Sequence, residues 1–384
     1  MRNSANCWPT SEQYLLLQAG LSGTPKARAA WDNYCQLTDF QKIEHIATTF
    51  FPLVYQNFKH SYSTEFKSCK SVYRHTWSYN HLQFFKLRKI LTLLKEASIK
   101  PCLLKGAALI AYYYQDAGLR VMGDINILIS REQVKTALLL LRKAGWRFKT
   151  ENLTEQEIDE WIDRTHAFSL IDSEGVILDL HWALLSENGL DPIYAGYTYR
   201  TSEISSSLLQ TITILSPEDQ LIHTLFHGLK YSPQPFIRWI PDAVMILRKT
   251  PHFEWNYFLC QAKYLKIKWM IYTAVRYLHT HSFAEIPSAI LATIDQYIPS
   301  KPELNHFRFI TQKPLKLLSI FQMYWYCHAR NFPSSNPLIL LWNLPSFLKK
   351  ARKISNWHKI PFFFIPGNMD LFKKRLHKIL TNRT

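Results

Sequence analysis

The hydrophobic period of this chain changes twice, and those changes bound what it can fold into. Up to Lys100 the apolar residues recur at helical spacing. Between Pro101 and Trp182 they alternate or fall in short strand-length blocks, and from Leu215 onward the spacing is helical again. Strand character confined to the middle implies an α+β chain, with a mixed sheet core between helical flanks. Eleven glycines in 384 residues are too few for a loop-rich β protein and support the same reading.

The N-terminal stripes are Leu15, Leu16 and Leu17, then Ile43, Ile46, Phe50 and Phe51. Phe84, Leu87, Leu91 and Leu94 predict an amphipathic helix over Gln83 to Ala97. Pro101 to Leu104 reads as a strand ending at Lys105-Gly106, and Ala107 to Tyr114 as a helix. In the strand-like segment Asp124 to Ile129, Asp124, Asn126 and Leu128 share one face, and Ile125, Ile127 and Ile129 the other. Ser130 with Gln133 predicts a capping box, Gly145 ends the helix that follows, and Trp146 to Phe148 forms a short edge strand. Thr154 with Glu157 is a second box, opening a helix to Arg164. His166 to Ile171 and Val176 to Trp182 then make two strands around the turn Asp172 to Gly175. Ser216 caps a helix with Pro217 at its first position. The run Ser232 to Pro235 separates it from a helix over Phe236 to Leu247. The expected organisation is a helical region 1–80, a core 81–214, and a helical domain 215–384 with a basic tail.

The net charge of +17 sits in the second half. Residues 1–216 carry 23 Lys and Arg against 21 Asp and Glu, residues 217–384 carry 23 against 8, and residues 301–384 carry 15 against 2. Such a surface attracts nucleic acid, anionic lipid or a phosphorylated substrate, or is simply a solvated basic face. Leu338 to Leu348 is largely apolar and Lys349 to Lys353 basic, and the ending Leu371 to Leu380 is amphipathic. Core packing and docking at a membrane surface are both open for these stretches and for the aromatic runs Phe321 to Tyr326 and Phe362 to Phe364. The six cysteines show no CxxC spacing, so neither zinc nor a disulfide framework is indicated. No run has the length of a signal peptide core or a transmembrane span, and a cytoplasmic location is expected.

Lys105-Gly106-Ala107 at a strand-to-helix turn suits phosphate, because backbone N–H groups at a helix start face an incoming anion. Asp124 and Asn126 alternate onto one face of their strand, and Asp179 and His181 onto one face of a later strand. Taken singly, each of these fits a plain structural role. His181 reads better as a residue supporting a ligand than as a ligand, and His223 and His227 better as helix-packing or cleft residues than as zinc ligands.

In order, the motifs resemble the uncharacterised nucleotidyltransferase family of the polymerase-β-like superfamily. They are Leu104-Lys105-Gly106-Ala107, the segment Gly118-Leu119-Arg120 through Gly123-Asp124-Ile125-Asn126, Asp179-Leu180-His181-Trp182, Leu215-Ser216-Pro217-Glu218-Asp219 with His223 and His227, and Arg238-Trp239-Ile240-Pro241-Asp242. The resemblance implies a nucleotidyltransferase-fold mixed sheet core of bacterial type, a nucleoside triphosphate substrate, and Mg²⁺ or Mn²⁺. It implies that Asp124 and Asp179 are catalytic and hold metal with Asn126. Asp179 would also assist deprotonation of the acceptor. Lys105, Gly106, Ala107, Arg120 and Gly123 would hold the nucleotide, and His181, Arg238 and Asp242 would stand around the cleft. The acceptor, whether small molecule, sugar, peptide or RNA, is left open.

One position departs from the pattern. Where the family carries a second strand aspartate, this chain has Asn126, a neutral ligand that adds no charge to a metal site. Two readings follow: an enzyme working with fewer charges, or a catalytically impaired module that binds nucleotide and regulates.

Overall fold

The computed structural model describes residues 7–38, 45–60, 66–149, 153–185, 197–230, 237–312, 325, 328 and 336–352. Ile43, the breaker Ser232 to Pro235, the stretch Phe321 to Tyr326 apart from Trp325, Phe362 to Phe364 and Leu371 to Leu380 lie outside them.

Among the described residues four helices come first: α1 (Ser11–Leu21), α2 (Thr24–Leu37), α3 (His45–Thr48) and α4 (Phe51–Phe58). They close around buried aromatics, with Trp31 5.3 Å from Phe66 between ring centroids and stacked on Tyr34. The next helix, α5 (Lys67–Glu96), is much longer than its apolar stripe. Its first half is seated through buried Cys69, Thr76 and Asn80, with Val72 and Tyr73 only half-buried, so hydrophobic periodicity reveals only the second half.

The centre is one seven-stranded mixed sheet in the order β3-β4-β5-β2-β1-β7-β6. It comprises β1 (Cys102–Leu104), β2 (Ile125–Leu128), β3 (Arg147–Phe148), β4 (Ala167–Ile171), β5 (Ile177–His181), β6 (Thr201–Ser206) and β7 (Gln210–Leu215). β1 is antiparallel to β2 with Leu104 opposite Asn126, and β2 is parallel to β5 with Asn126 opposite Asp179. β4 and β5 form the expected hairpin. Its turn is held by Asp172 Oδ1, which accepts from the Glu174 and Val176 N–H groups at 2.9 Å each.

Between the strands run α6 (Lys105–Ala108), continued by π-helical turns to Tyr114, then α7 (Val134–Lys143) and α8 (Glu155–Arg164). The Thr154–Glu157 capping box forms as expected and opens α8. The Ser130 box does not form. Ser130 Oγ turns to the Gln133 side chain at 3.2 Å, and a short 3₁₀ turn over Arg131–Gln133 precedes α7. β6 and β7 have no counterpart in the sequence reading. They add an antiparallel hairpin through β7 to the far side of β1.

The second helical unit is α9 (Pro217–Gly228), α10 (Trp239–Lys249), α11 (Trp255–Tyr264), α12 (Lys268–Thr280), α13 (Ser288–Asp295), α14 (Lys301–Thr311) and α15 (Pro337–Arg352). α9 starts as expected, with Ser216 accepting from the Asp219 N–H, and is buried along almost its whole length. It packs tightly on α10. A Cβ on Gly228 would lie 2.1 Å from Trp239 Cβ, so only glycine fits there. No helix among the described residues is long and apolar enough to cross a membrane.

Candidate active site

Register brings the distant motifs together. Asn126 and Asp179 are partners across β2 and β5, and so are Leu128 and His181, which places Asn126, Asp179 and His181 on one face of two neighbouring strands. Asp124 stands one residue before β2 and is half-buried. Its carboxyl group reaches that of Asp179 and makes a side-chain contact with it. Asp179 is held above the usual carboxylate range. Burial raises it most, the Ser169 hydroxyl that donates to Oδ1 opposes, the Asp124 charge and contact raise it further, and Lys105 opposes again. Two carboxylates are thus held close in a partly desolvated place, an arrangement that a bound cation relieves.

Lys105 begins α6 at φ +47°, a left-handed conformation that a residue with a Cβ adopts at a cost of about 1–2 kcal/mol. That turn directs its ammonium to Asn126 Oδ1, 2.6 Å away. An ammonium can only donate, so the Asn126 oxygen must face it. His181 Nε2, 2.9 Å from the same oxygen, must then carry its proton. Asn126 is fully buried, and both lone pairs of its carbonyl oxygen are engaged. His181 Nδ1 is the unprotonated nitrogen and has no partner among the described residues. Burial, and then the charge of Lys105, hold His181 well below the ordinary histidine range, so the ring is neutral. His166, His223 and His227 stand nearby and are lowered in the same way. The rings of His166 and His181 lie 5.6 Å apart, and those of His223 and His227 4.5 Å apart. Among the described residues no three His, Cys, Asp or Glu side chains have the geometry to hold a metal ion.

The remaining motif residues join the core to the second helical unit. Arg120 forms a two-pronged pair with Asp242, at 2.7 and 2.9 Å, and Tyr114 donates to the same carboxylate at 2.8 Å. Arg238 donates to the Val121 carbonyl at 2.8 Å. A Cβ on Gly106 would meet Arg120 Nη1 and Met122 Cγ, each at 2.8 Å, so this glycine lets the 118–124 segment lie directly on the start of α6. Ala107 is buried beneath it, whereas Gly123 is exposed with open space around its Cα.

The sequence reading missed the residues that hold this segment from below. Asn80 Nδ2 donates to the carbonyls of Ala117 and Arg120 at 2.6 and 2.7 Å, and Gln83 Nε2 donates to that of Met122 at 2.6 Å. Their only signal is two amides on the buried stripe of a helix, three positions apart.

The sequence matches the profile of a family described as uncharacterised nucleotidyltransferase over residues 29–282, roughly two thirds of the chain. The chain belongs to that family. The match takes in the whole sheet, most of the N-terminal helical region and the second helical unit as far as α12, and the chain is a member of the polymerase-β-like nucleotidyltransferase superfamily with its mixed-sheet fold. No curated protein matches this sequence. Among solved structures, the lincosamide antibiotic adenylyltransferase LnuA with lincomycin bound is 18% identical, over 41% of this chain and 95% of that one, at a TM-score of 0.30. A nucleotidyltransferase-like antigenic protein from Paracoccidioides brasiliensis is 16% identical over 54% and 96%, at 0.35. The antibiotic-resistance factor ANT(2'')-Ia is 14% identical over 52% and 98%, at 0.33. At such low overlap these likenesses carry no argument, and membership rests on the profile.

Proposed function

We propose that this nucleotidyltransferase moves a nucleoside monophosphate from a nucleoside triphosphate to an acceptor hydroxyl, working with one divalent cation, Mg²⁺ or Mn²⁺. The observation that carries the proposal is the meeting of Asp124 and Asp179 beside a lysine at a strand-to-helix turn. The two carboxylates would hold the cation, which would supply positive charge at the α-phosphate. Asn126 is not counted as a ligand, because both lone pairs of its oxygen are taken by Lys105 and His181. The Lys105 ammonium then supplies, as a fixed charge, part of what a second ion would supply.

In the reaction the acceptor oxygen bonds to the α-phosphorus, and the bond from that phosphorus to the oxygen bridging to the β-phosphate breaks. Pyrophosphate leaves. Asp179 takes the hydroxyl proton. Lys105 and the backbone N–H groups at the start of α6 hold the triphosphate. Arg120 serves by anchoring the segment that carries Asp124, since its guanidinium is committed to Asp242.

The test combines turnover with metal binding. Purified protein is given labelled triphosphates, Mg²⁺ or Mn²⁺ and candidate acceptors, and Mn²⁺ stoichiometry is measured by calorimetry. One Mn²⁺ should bind per chain. Asp124→Ala and Asp179→Ala should each abolish that binding and lower labelling by about a hundredfold or more. Labelling that survives both substitutions would remove the assignment. The capture of the Asn126 oxygen also favours a second reading, a nucleotide-binding regulatory module without turnover. Tight triphosphate binding with no labelling in any acceptor mixture, and turnover restored by Asn126→Asp, would select it.

A further inference from the structure

The C-terminal third of the chain carries a surface that the catalytic reading does not use. Among the described residues, α15 is seated by one side only. Leu340 and Leu344 are 7% and 5% exposed, and His328 Nε2 bonds the Leu340 carbonyl at 2.9 Å. The other side is apolar and open. Leu338 is 73% exposed, Leu341 50% and Trp342 86%, and Ile339 at 45% borders them. Leu338, Leu341 and Trp342 follow at helical spacing, so they form one continuous face. A face of this composition on a water-soluble surface marks a contact with something apolar.

Charge identifies the occupant. The sequence continues directly into Lys349, Lys350, Arg352 and Lys353, and no acidic residue occurs from 304 to 369. An apolar helical face containing tryptophan and followed by a run of cations is complementary to a bilayer with anionic headgroups. The aliphatic and indole groups enter the acyl boundary, while the cations stay at the phosphate level. Nucleic acid would use the cations but has no place for Leu338, Ile339 and Leu341. A second copy of this chain would bring an equally cationic segment against the first. We infer that α15 lies along an anionic membrane surface, parallel to it and not across it, and that this contact places the nucleotidyltransferase at the lipid–water boundary.

The experiment uses the full chain and needs no turnover. The protein is sedimented with vesicles of phosphatidylcholine alone and of phosphatidylcholine mixed with phosphatidylglycerol. Binding is expected only to the mixed vesicles, weakening as salt rises from about 0.1 M to about 0.5 M. The triple variant Leu338→Ser, Leu341→Ser, Trp342→Ser changes only exposed positions, so its circular dichroism should match the parent. Its vesicle binding should fall by about tenfold or more. The variant Lys349→Gln, Lys350→Gln should lose the preference for phosphatidylglycerol. Four results would overturn the inference: no binding to mixed vesicles, undiminished binding by the triple variant, equal binding to neutral vesicles, or self-association or RNA binding in place of vesicle binding as the property the triple variant loses.

Discussion

Lys105 does two things that a different residue at that position would separate. Its left-handed backbone costs about 1–2 kcal/mol, and its ammonium binds the Asn126 oxygen. Strain of this kind is kept where function repays it. Lys105→Gly relieves the backbone and removes the charge, whereas Lys105→Ala removes the charge and keeps the strain. Glycine should therefore be the more stable of the two by about 1 kcal/mol in urea unfolding. Both should bind triphosphate about tenfold or more weakly than the parent, as the loss of a charge-assisted contact predicts. Equal stability of the two variants would contradict the backbone conformation, and unchanged triphosphate affinity would contradict the role of the ammonium. A left-handed lysine could not be read from the sequence, because Leu-Lys-Gly-Ala places a glycine next to it and draws the turn to Gly106. Gly106 is required instead by the closeness of Arg120 and Met122.

At the scale of elements, the 118–124 segment is the part most constrained by its neighbours. α5 holds it through Asn80 and Gln83, α6 supports it at Gly106, and α10 grips it through Asp242 and through Arg238 at its N-cap. A Cβ on Gly118 would lie 2.3 Å from the Tyr73 ring, which closes the remaining side. Asp242 is nearly enclosed, and removing it leaves the buried Arg120 guanidinium unpaired. Asp242→Ala should cost about 3–5 kcal/mol in urea unfolding. The exposed Arg28–Asp32 pair is the internal control, and Asp32→Ala should change stability by less than about 1 kcal/mol. Similar costs for the two would mean that burial of the Arg120 pair is overstated. The caps at Thr154 and Ser216, the β4–β5 hairpin and the β1-to-α6 turn were all legible, since each depends on residues within a few positions of one another. β6 and β7 were not. Thr201 to Ser206 is polar, and its pairing with Gln210 to Leu215 is set by the β1 edge on which β7 lies.

For the whole molecule, the histidines beneath the site make stability depend on pH. Burial first, and then Lys230 and Lys105, lower His166 to about 4, and burial above all holds His223 and His227 well below the ordinary range. His223 is enclosed, while His166 and His227 keep an edge to solvent. In the folded chain these rings stay neutral, and in the unfolded chain they take up protons near pH 6.5. Their contribution is therefore present above about pH 6.5 and is lost as pH falls toward about 4, at up to about 1.4 kcal/mol per pH unit for each ring. Urea unfolding between pH 7.5 and pH 5 should show this loss, and His223→Gln should make the slope shallower. A stability that stays level over that interval would mean the rings are not held neutral.

The amino-acid sequence alone determined the helix–sheet–helix order, the local caps and turns, the identity of the motif residues and the gathering of positive charge toward the C-terminus. All of these depend on near neighbours or on composition. Tertiary structure decided which distant residues meet: that Asp124 touches Asp179, that Asn126 gives its oxygen to Lys105 and His181, and that Arg120 is bound to Asp242. The physical reason is that a donor or a charge acts on whatever lies within a few ångströms of it. Strand register and helix packing, which bring far-separated stretches of chain side by side, settle what that is.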